Sequence, residues 1–154
     1  MVAAYPLTVY FDASCALCNS EMQNIKQHDS ENRLRLIDCS AQDFDDRAFH
    51  PEGITRETLM NCLHARDANG NWLKGVPAFE VIYRTVGMAS IAMLWGHPLT
   101  RPVAERAYPW VVKHRQFLSA LGLHKLFDWW SKKAAHQANR RSRTCSEGRC
   151  ATTC

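Results

Sequence analysis

The sequence of 154 residues lacks the features that mark several common classes of protein. It contains no uninterrupted apolar run approaching the roughly 18 residues of a membrane-spanning helix. Residues 1–12 lack the basic region of a secretory signal peptide and run directly into an aromatic-rich segment that ends in an acidic residue. No internal repeat occurs along the chain. We therefore expect a cytoplasmic protein without a transmembrane segment.

An excess of charge of one sign is also missing from most of the chain. Residues 132–154 hold six basic residues but only Glu147 as an acidic one, so the preceding part is nearly neutral. A domain that binds nucleic acid carries its basic residues on folded elements. We expect no nucleic acid partner for the folded part and leave that interaction open only for the basic tail.

The composition is that of a single globular domain. Apolar residues make up 46% of the chain and charged residues 22%, which is close to the average for globular proteins. A chain of this length is too short for two domains that each bury a sizeable core. One fold must therefore carry the function, and the sequence indicates no particular oligomeric state.

Cysteine, by contrast, is abundant. In a reducing compartment, such residues are more often catalytic, redox-active or metal-binding than structural, and an odd number cannot all pair within one chain. The seven cysteines are Cys15, Cys18, Cys39, Cys62, Cys145, Cys150 and Cys154.

The N-terminal part of the chain has the pattern of a βαβ unit. The β-branched and aromatic segment Leu7–Phe11 predicts a buried strand. A helix should follow, with Asp12 or Ser14 accepting hydrogen bonds from its first free N–H groups. Residues 34–38 alternate like a second strand, which should lie parallel to the first.

The middle of the chain predicts short helices and then a hairpin. We expect a short helix around residues 43–49 and a further helical turn over residues 55–60. Asn69-Gly70 is a strong hairpin signal because both residues tolerate positive φ, so residues 61–66 and 71–74 should form two antiparallel strands. Pro77 suits the first turn of the helix that follows.

The C-terminal part is predominantly helical. Residues 102–121 predict a long helix, with a kink or break at Pro109. We divide the chain into a domain at residues 1–122, an amphipathic helix at residues 123–138 and a flexible, basic, cysteine-containing tail at residues 139–154.

The motif Cys15-Ala16-Leu17-Cys18 lies where the first strand should give way to a helix. Two cysteines three residues apart on a first helical turn can form a disulfide, and the free N–H groups and helix dipole there stabilise a thiolate. We expect Cys15 to be the nucleophile. Cys18, one turn deeper and more buried, should resolve the mixed disulfide.

A metal site is the main alternative to redox chemistry. A CxxC pair is also half of a zinc site, but a closed zinc site needs two further ligands. No second pair with ligand spacing occurs, so Cys39, Cys62 or a histidine would have to converge by folding. A zinc- or copper-binding protein and an adaptor with a merely structural CxxC both remain open at this point.

The segment from Asp12 to Cys18, with Glu21 after it, resembles the D-x-x-C-x-x-C signature of the DCC family of predicted thiol-disulfide oxidoreductases. The similarity extends over residues 5–122, through Gly75-Val76-Pro77-Ala78 to Tyr108 and His114-Arg115. The resemblance implies a thioredoxin-like α/β fold and exchange of electrons with protein or small-molecule thiols and disulfides. It implies no cofactor and no metal, and it assigns the catalytic roles to Asp12, Cys15 and Cys18.

More than one interpretation is open for Asp12 and for the five cysteines outside the CxxC motif. Asp12 can cap the helix or form a turn, or it can take the proton of Cys18 as a general base. No proline precedes the first predicted hairpin strand, where thioredoxins hold a cis-proline, and Cys62 lies in that region. Cys62 and Cys39 are either small buried hydrophobes or neighbours of the active sulfurs. Cys145, Cys150 and Cys154 could form a redox relay, bind a soft metal, or belong to an extension with no fixed role.

Overall fold

The computed structural model describes residues 3–122. The predicted helix at residues 123–138 and the tail at residues 139–154 lie outside these described residues. The elements, in chain order, are β1 (Leu7–Phe11), α1 (Ala16–Gln27), β2 (Leu34–Asp38), a 3-10 helix (Arg47–Glu52), α2 (Arg56–Asn61), β3 (His64–Arg66), β4 (Trp72–Lys74), α3 (Val76–Thr85), α4 (Ala89–Gly96) and α5 (Arg101–Ala120).

The strands form one mixed sheet in the order β2-β1-β3-β4. β1 and β2 are parallel, with Leu7 opposite Leu34, while β1 pairs antiparallel with β3 and β3 with β4. The βαβ unit, the hairpin and the helix after it are therefore confirmed. This arrangement is thioredoxin-like, as the resemblance implied.

The central strand β1 is buried on both faces of the sheet, as its continuous apolar character predicts. Leu7, Val9 and Phe11 point into the larger core, where α1 and α3 pack against them. Tyr10 points to the other face, against Phe49 and Trp72 at ring-centroid distances of 5.5 and 5.2 Å. Because β1 lies at the centre of the sheet, its C-terminal end fixes the position of the cysteine motif.

Two predicted elements differ from those observed. The short helix expected around residues 43–49 is instead the 3-10 helix Arg47–Glu52, which begins after Asp46 and ends at Gly53, a residue in the left-handed conformation. The first hairpin strand begins only at His64, because α2 continues to Asn61. Of the residues predicted for this strand, Asn61 belongs to α2, and Cys62 and Leu63 connect that helix to β3.

Helix α5 is continuous from Arg101 to Ala120, with Pro109 inside it. Of the two alternatives expected at Pro109, the break is wrong, and the kink stays a prediction. Pro109 is exposed, and at an exposed position the carbonyl that loses its intrahelical partner can be hydrated instead. Within residues 3–122, no helix is both long enough and apolar enough to cross a bilayer.

Candidate active site

Cys15 itself is the N-cap residue of α1, so the expectation that Asp12 or Ser14 caps this helix is wrong. Its backbone is extended, with φ −83° and ψ 109°, and its Sγ accepts a hydrogen bond from the N–H of Cys18 at 3.5 Å. An N-cap side chain satisfies one of the free N–H groups of the first turn. Here a sulfur takes the place of the usual oxygen, so the helix itself offers a donor to a thiolate.

Asp12 builds the turn that carries the chain from β1 to Cys15. Its Oδ1 accepts hydrogen bonds from the N–H and the hydroxyl of Ser14, at 3.0 and 2.5 Å. Asp38, at the end of the parallel strand, holds the same turn by accepting a hydrogen bond from the N–H of Ala13 at 3.1 Å. The position of Cys15 therefore depends on two carboxylates at the ends of neighbouring strands.

The other oxygen of Asp12 faces Arg115 of α5. Arg115 Nη2 lies 3.0 Å from Asp12 Oδ2, and the two side chains are only 15% and 2% exposed. No aligned hydrogen bond from the described residues reaches that oxygen, so charge attraction carries the contact. Arg115 also donates to the carbonyl oxygen of Met60, just after which α2 ends. One guanidinium thus joins α5 to the cysteine turn and to the segment before β3.

The two thiols of the motif have pKa values shifted in opposite directions. A hydrogen bond from the Cys18 side chain lowers the pKa of Cys15 to about 6 against the opposing effect of burial, and backbone N–H groups and the charge of Arg115 add to this. The pKa of Cys18 is raised because its side chain donates to Cys15 and because it is partly buried. This is the division expected for a nucleophile and a resolving thiol.

The exposure of the two cysteines is the reverse of what we expected. Cys15 has no solvent-accessible surface, whereas Cys18 is partly exposed. The reason is the N-cap geometry, because the Cys15 side chain turns back under the first helical turn to reach the Cys18 N–H. In this conformation the more acidic thiol is therefore closed to solvent.

Cys18 lines a small cavity of about 90 Å³ beside the turn. Glu21, one helical turn further along α1, lines the same cavity and accepts a hydrogen bond from the Tyr83 hydroxyl at 2.9 Å. Burial raises the pKa of Glu21 to about 7, with the Tyr83 hydrogen bond opposing the shift. The remaining polar residues around the cavity are Asp12, Cys62, Tyr108 and Arg115.

Cys39 and Cys62 have different surroundings in the structure. Cys39 is fully buried against Tyr10 and Leu59, and burial raises its pKa to about 12, as for a small buried hydrophobe. Cys62 is only partly buried and lines the cavity that also contains Cys18, so the buried-hydrophobe interpretation is wrong for this residue. Among residues 3–122, no group of three or more His, Cys, Asp or Glu side chains could hold a metal ion. Cys145, Cys150 and Cys154 lie outside these residues.

Sequence reasoning gave no role to three residues of the site. Arg115 and Tyr108 entered only through the family resemblance, and Glu21 only as a residue that follows the motif. Tyr108 accepts the N–H of Leu63 at 2.9 Å and so attaches α5 to the start of β3. No local pattern signals these contacts, because they join residues 45 to 103 positions apart.

The chain was compared with known proteins. The model of the DCC1-like thiol-disulfide oxidoreductase family matches residues 9–121. An uncharacterized chloroplastic protein of Arabidopsis thaliana is 26% identical over 98 residues, which is 63% of this chain and 42% of that protein. The chain therefore spans less than half the length of this curated relative. No solved structure matches.

Proposed function

The chain belongs to the DCC1-like thiol-disulfide oxidoreductase family, and from this premise we propose that Cys15 and Cys18 are its redox-active pair. The observation that carries the proposal is the N-cap position of Cys15. At this position the Cys18 N–H donates a hydrogen bond to the Cys15 sulfur, and the pKa of the Cys15 thiol is lowered to about 6. At neutral pH a thiol of this acidity is largely thiolate, the form that attacks disulfides.

The reaction proceeds in two thiol-disulfide exchanges. The Cys15 thiolate attacks one sulfur of a substrate disulfide, forms a mixed disulfide and releases the other sulfur as a thiolate. Cys18 then loses its proton and attacks Cys15 Sγ, which forms the Cys15–Cys18 disulfide and releases the second substrate thiolate. Two electrons pass from the protein dithiol to the substrate, and the reverse sequence oxidises a substrate dithiol.

Asp12 acts in this scheme as a positioning residue. Its Oδ1 is engaged by Ser14, and its Oδ2 faces the guanidinium of Arg115. A carboxylate with both oxygens engaged in this way holds the turn in place. It therefore orients the turn and holds the charge of Arg115 near the Cys15 thiolate.

The substrates follow from the chemistry of the pair. We expect protein or low-molecular-weight thiols and disulfides, with no cofactor and no nucleic acid involved. Because Cys15 is closed to solvent, a substrate reaches it only when the surrounding side chains move. The Arg115 contacts that hold α5 over the turn are the ones most directly concerned.

A reducing compartment such as the cytoplasm belongs to the same proposal. Such a compartment maintains cysteines as free thiols, the form in which Cys15 can act as a nucleophile. The Arabidopsis relative is described as chloroplastic, so fractionation of cells that express the tagged chain is the direct test of location.

Trapping the mixed disulfide tests the proposed function. Each purified variant is incubated with glutathione disulfide, quenched with acid, and mapped by mass spectrometry. The wild type should form the Cys15–Cys18 disulfide, Cys18→Ser should accumulate glutathione on Cys15, and Cys15→Ser should form neither product. Cys39→Ser is the matched control and should behave like the wild type. A bound zinc or copper ion that protects Cys15 and Cys18 from alkylation would instead favour the metal-binding alternative.

A further inference from the structure

We propose that Glu21 is the group that takes the proton from Cys18 when that thiol attacks the mixed disulfide. This inference rests on the proposed redox role of the pair and adds a catalytic residue to it. The second exchange must remove the proton of the Cys18 thiol, and Cys18 lines the small cavity beside the turn.

Cys18 cannot attack as a thiol and needs a nearby proton acceptor. Burial and its hydrogen bond to Cys15 both raise its pKa, so very little of it ionises spontaneously at neutral pH. In the mixed disulfide the hydrogen bond to a Cys15 thiolate no longer exists, but the burial does. A base beside Cys18 would therefore determine the rate of the second exchange.

Glu21 lies in the right place for this role. Residues three apart on a helix share one face, and Cys18 and Glu21 both line the cavity of about 90 Å³. A cavity of this size has room for a water molecule, so the proton can pass directly or through one bridging water. Most of the other residues around the cavity are apolar, among them Phe11, Leu59 and Val112.

The other polar residues of the cavity are already engaged. Asp12 faces Arg115 and accepts from Ser14. The Tyr108 hydroxyl accepts the Leu63 N–H, and burial raises the pKa of Tyr108, so its phenolate is not available. Cys62 donates weakly to the carbonyl oxygen of Leu63, with its Sγ 3.7 Å away.

Glu21 also has a route to solvent. It lines a second, open groove of about 480 Å³, formed with Leu17 of α1, Phe79 of α3, Trp95 of α4 and Tyr108 of α5. A carboxylate that lines both the small cavity and this wider groove can accept a proton on one side and release it on the other. The Tyr83 hydroxyl orients it by donating to Oε1 at 2.9 Å.

The charge changes of the reaction leave Glu21 ionised, and so able to accept a proton, at the step that needs a base. The negative charge of the Cys15 thiolate contributes to raising the pKa of Glu21, after the larger effect of burial. Formation of the mixed disulfide removes that charge, which favours the ionised carboxylate. Cys18 then passes its proton to Glu21 as its sulfur bonds to Cys15 Sγ. The released substrate thiolate carries away the bonding electron pair, and Glu21 returns the proton to solvent.

A quenched-flow experiment with glutathione disulfide on the full chain tests the assignment. Mass spectrometry follows the Cys15–glutathione mixed disulfide and the Cys15–Cys18 disulfide over time. In Glu21→Gln, the mixed disulfide should form at the wild-type rate within about twofold, and its resolution should slow by about tenfold or more. Glu57→Gln, an exposed change on α2, is the matched control and should change neither step.

The pH profile separates proton transfer from a structural effect. In the wild type, the resolution rate should rise with pH through a midpoint somewhat below 7. The pKa of Glu21 is about 7 with the Cys15 thiolate present, and the mixed disulfide lacks that negative charge. This rise should be absent in Glu21→Gln. Tyr83→Phe removes a hydrogen bond that lowers the pKa of Glu21, so the midpoint should move to higher pH. This second variant keeps the carboxylate and decides the question if Glu21→Gln does not fold.

The outcomes distinguish this inference from the proposed function. Resolution at the wild-type rate and with the wild-type pH profile in Glu21→Gln, or an unmoved midpoint in Tyr83→Phe, would overturn the role of Glu21 alone. Failure of Cys18→Ser to accumulate any mixed disulfide at Cys15 would instead overturn the redox role of the pair.

Discussion

At the scale of single residues, the acidity of Cys15 is the property on which the chemistry depends. Its pKa is lowered to about 6 by hydrogen bonds that oppose its burial, so the rate of alkylation by iodoacetamide should rise with a midpoint near pH 6. Peptide mapping measures this rate for each cysteine separately. Cys39 is the internal reference, because burial raises its pKa to about 12 and it should stay unmodified at neutral pH. A Cys15 midpoint near 8.5, the value of an unperturbed thiol, would contradict the N-cap argument.

Gly75 is a second residue that the fold requires, because of its backbone conformation. It has φ +63° and ψ −131°, a conformation that residues with a Cβ rarely adopt. An added Cβ would lie 3.4 Å from the Tyr108 ring and 3.8 Å from Cys62 Sγ. We expect Gly75→Ala to lower the free energy of unfolding by about 1–3 kcal/mol, as measured by urea denaturation. Gly53→Ala is the matched control, because φ is also positive there but the Cβ meets no atom within 4 Å. An equal loss in both variants would show that the backbone conformation alone matters.

The residues of the site differ in how far the sequence could predict them. The positions of Cys15 and Cys18 could be predicted because β1 ends at Phe11, with three residues between it and the motif. The strand pattern and the cysteine spacing are both local signals. Which residue would cap α1 could not be predicted, because aspartate, serine and cysteine all precede the helix and only the turn geometry selects among them. The ion pair of Asp12 and Arg115 joins residues 103 positions apart, and its formation depends on the docking of α5 rather than on any sequence pattern.

At the scale of elements, α5 is attached to the site through a few polar contacts rather than through a buried face. None of its residues is fully buried, whereas Arg115 and Tyr108 bind the turn at Asp12 and the segment before β3. The βαβ unit and the hairpin could be predicted because strand alternation and Asn69-Gly70 are local signals. The position of α5 could not be predicted from the sequence. Apolar residues along this segment predict a buried face, but several of them are exposed among residues 3–122, namely Val103, Trp110, Phe117 and, just after the helix, Leu121.

Arg115→Met tests how α5 holds the site. The change leaves the nearly buried carboxylate of Asp12 without its counter-charge, which should cost about 3 kcal/mol in the free energy of unfolding. It should also raise the pKa of Cys15, because the guanidinium charge helps to lower it. Urea denaturation and the alkylation midpoint of Cys15 measure the two effects.

A double variant provides the control for this prediction. Asp12→Asn removes the charge that Arg115→Met leaves unpaired, so the double variant should be more stable than the sum of the two single losses implies. The Cys15 midpoint should stay raised in both Arg115→Met backgrounds. Strict additivity of the two stability losses would show that the ion pair contributes nothing to the docking of α5.

At the scale of the whole molecule, the redox state and the stability of the fold should depend on each other. The pKa of Cys15 is lowered from about 8.5, the value of an unperturbed thiol, to about 6 in the folded, reduced protein. A lowered pKa stabilises the fold in full above the unfolded value, and this contribution disappears as the pH falls through the folded value. The oxidised protein has no Cys15 thiol and therefore lacks the contribution altogether.

The free energy of unfolding of the reduced protein should therefore increase relative to that of the oxidised protein between about pH 6, the pKa of Cys15 in the folded protein, and about pH 8.5, the pKa of an unperturbed thiol. The slope should be at most about 1.4 kcal/mol per pH unit. Cys18, whose pKa is raised, affects stability only above this window. Glu21 is present in both redox states, so most of its effect cancels in the difference. Urea denaturation of both forms at several pH values measures this quantity. Cys15→Ser forms no Cys15–Cys18 disulfide, so its single form should show no such increase relative to the oxidised wild type. A difference that stays constant across the window would mean that the fold does not stabilise the thiolate, and the redox proposal would then lose its physical basis.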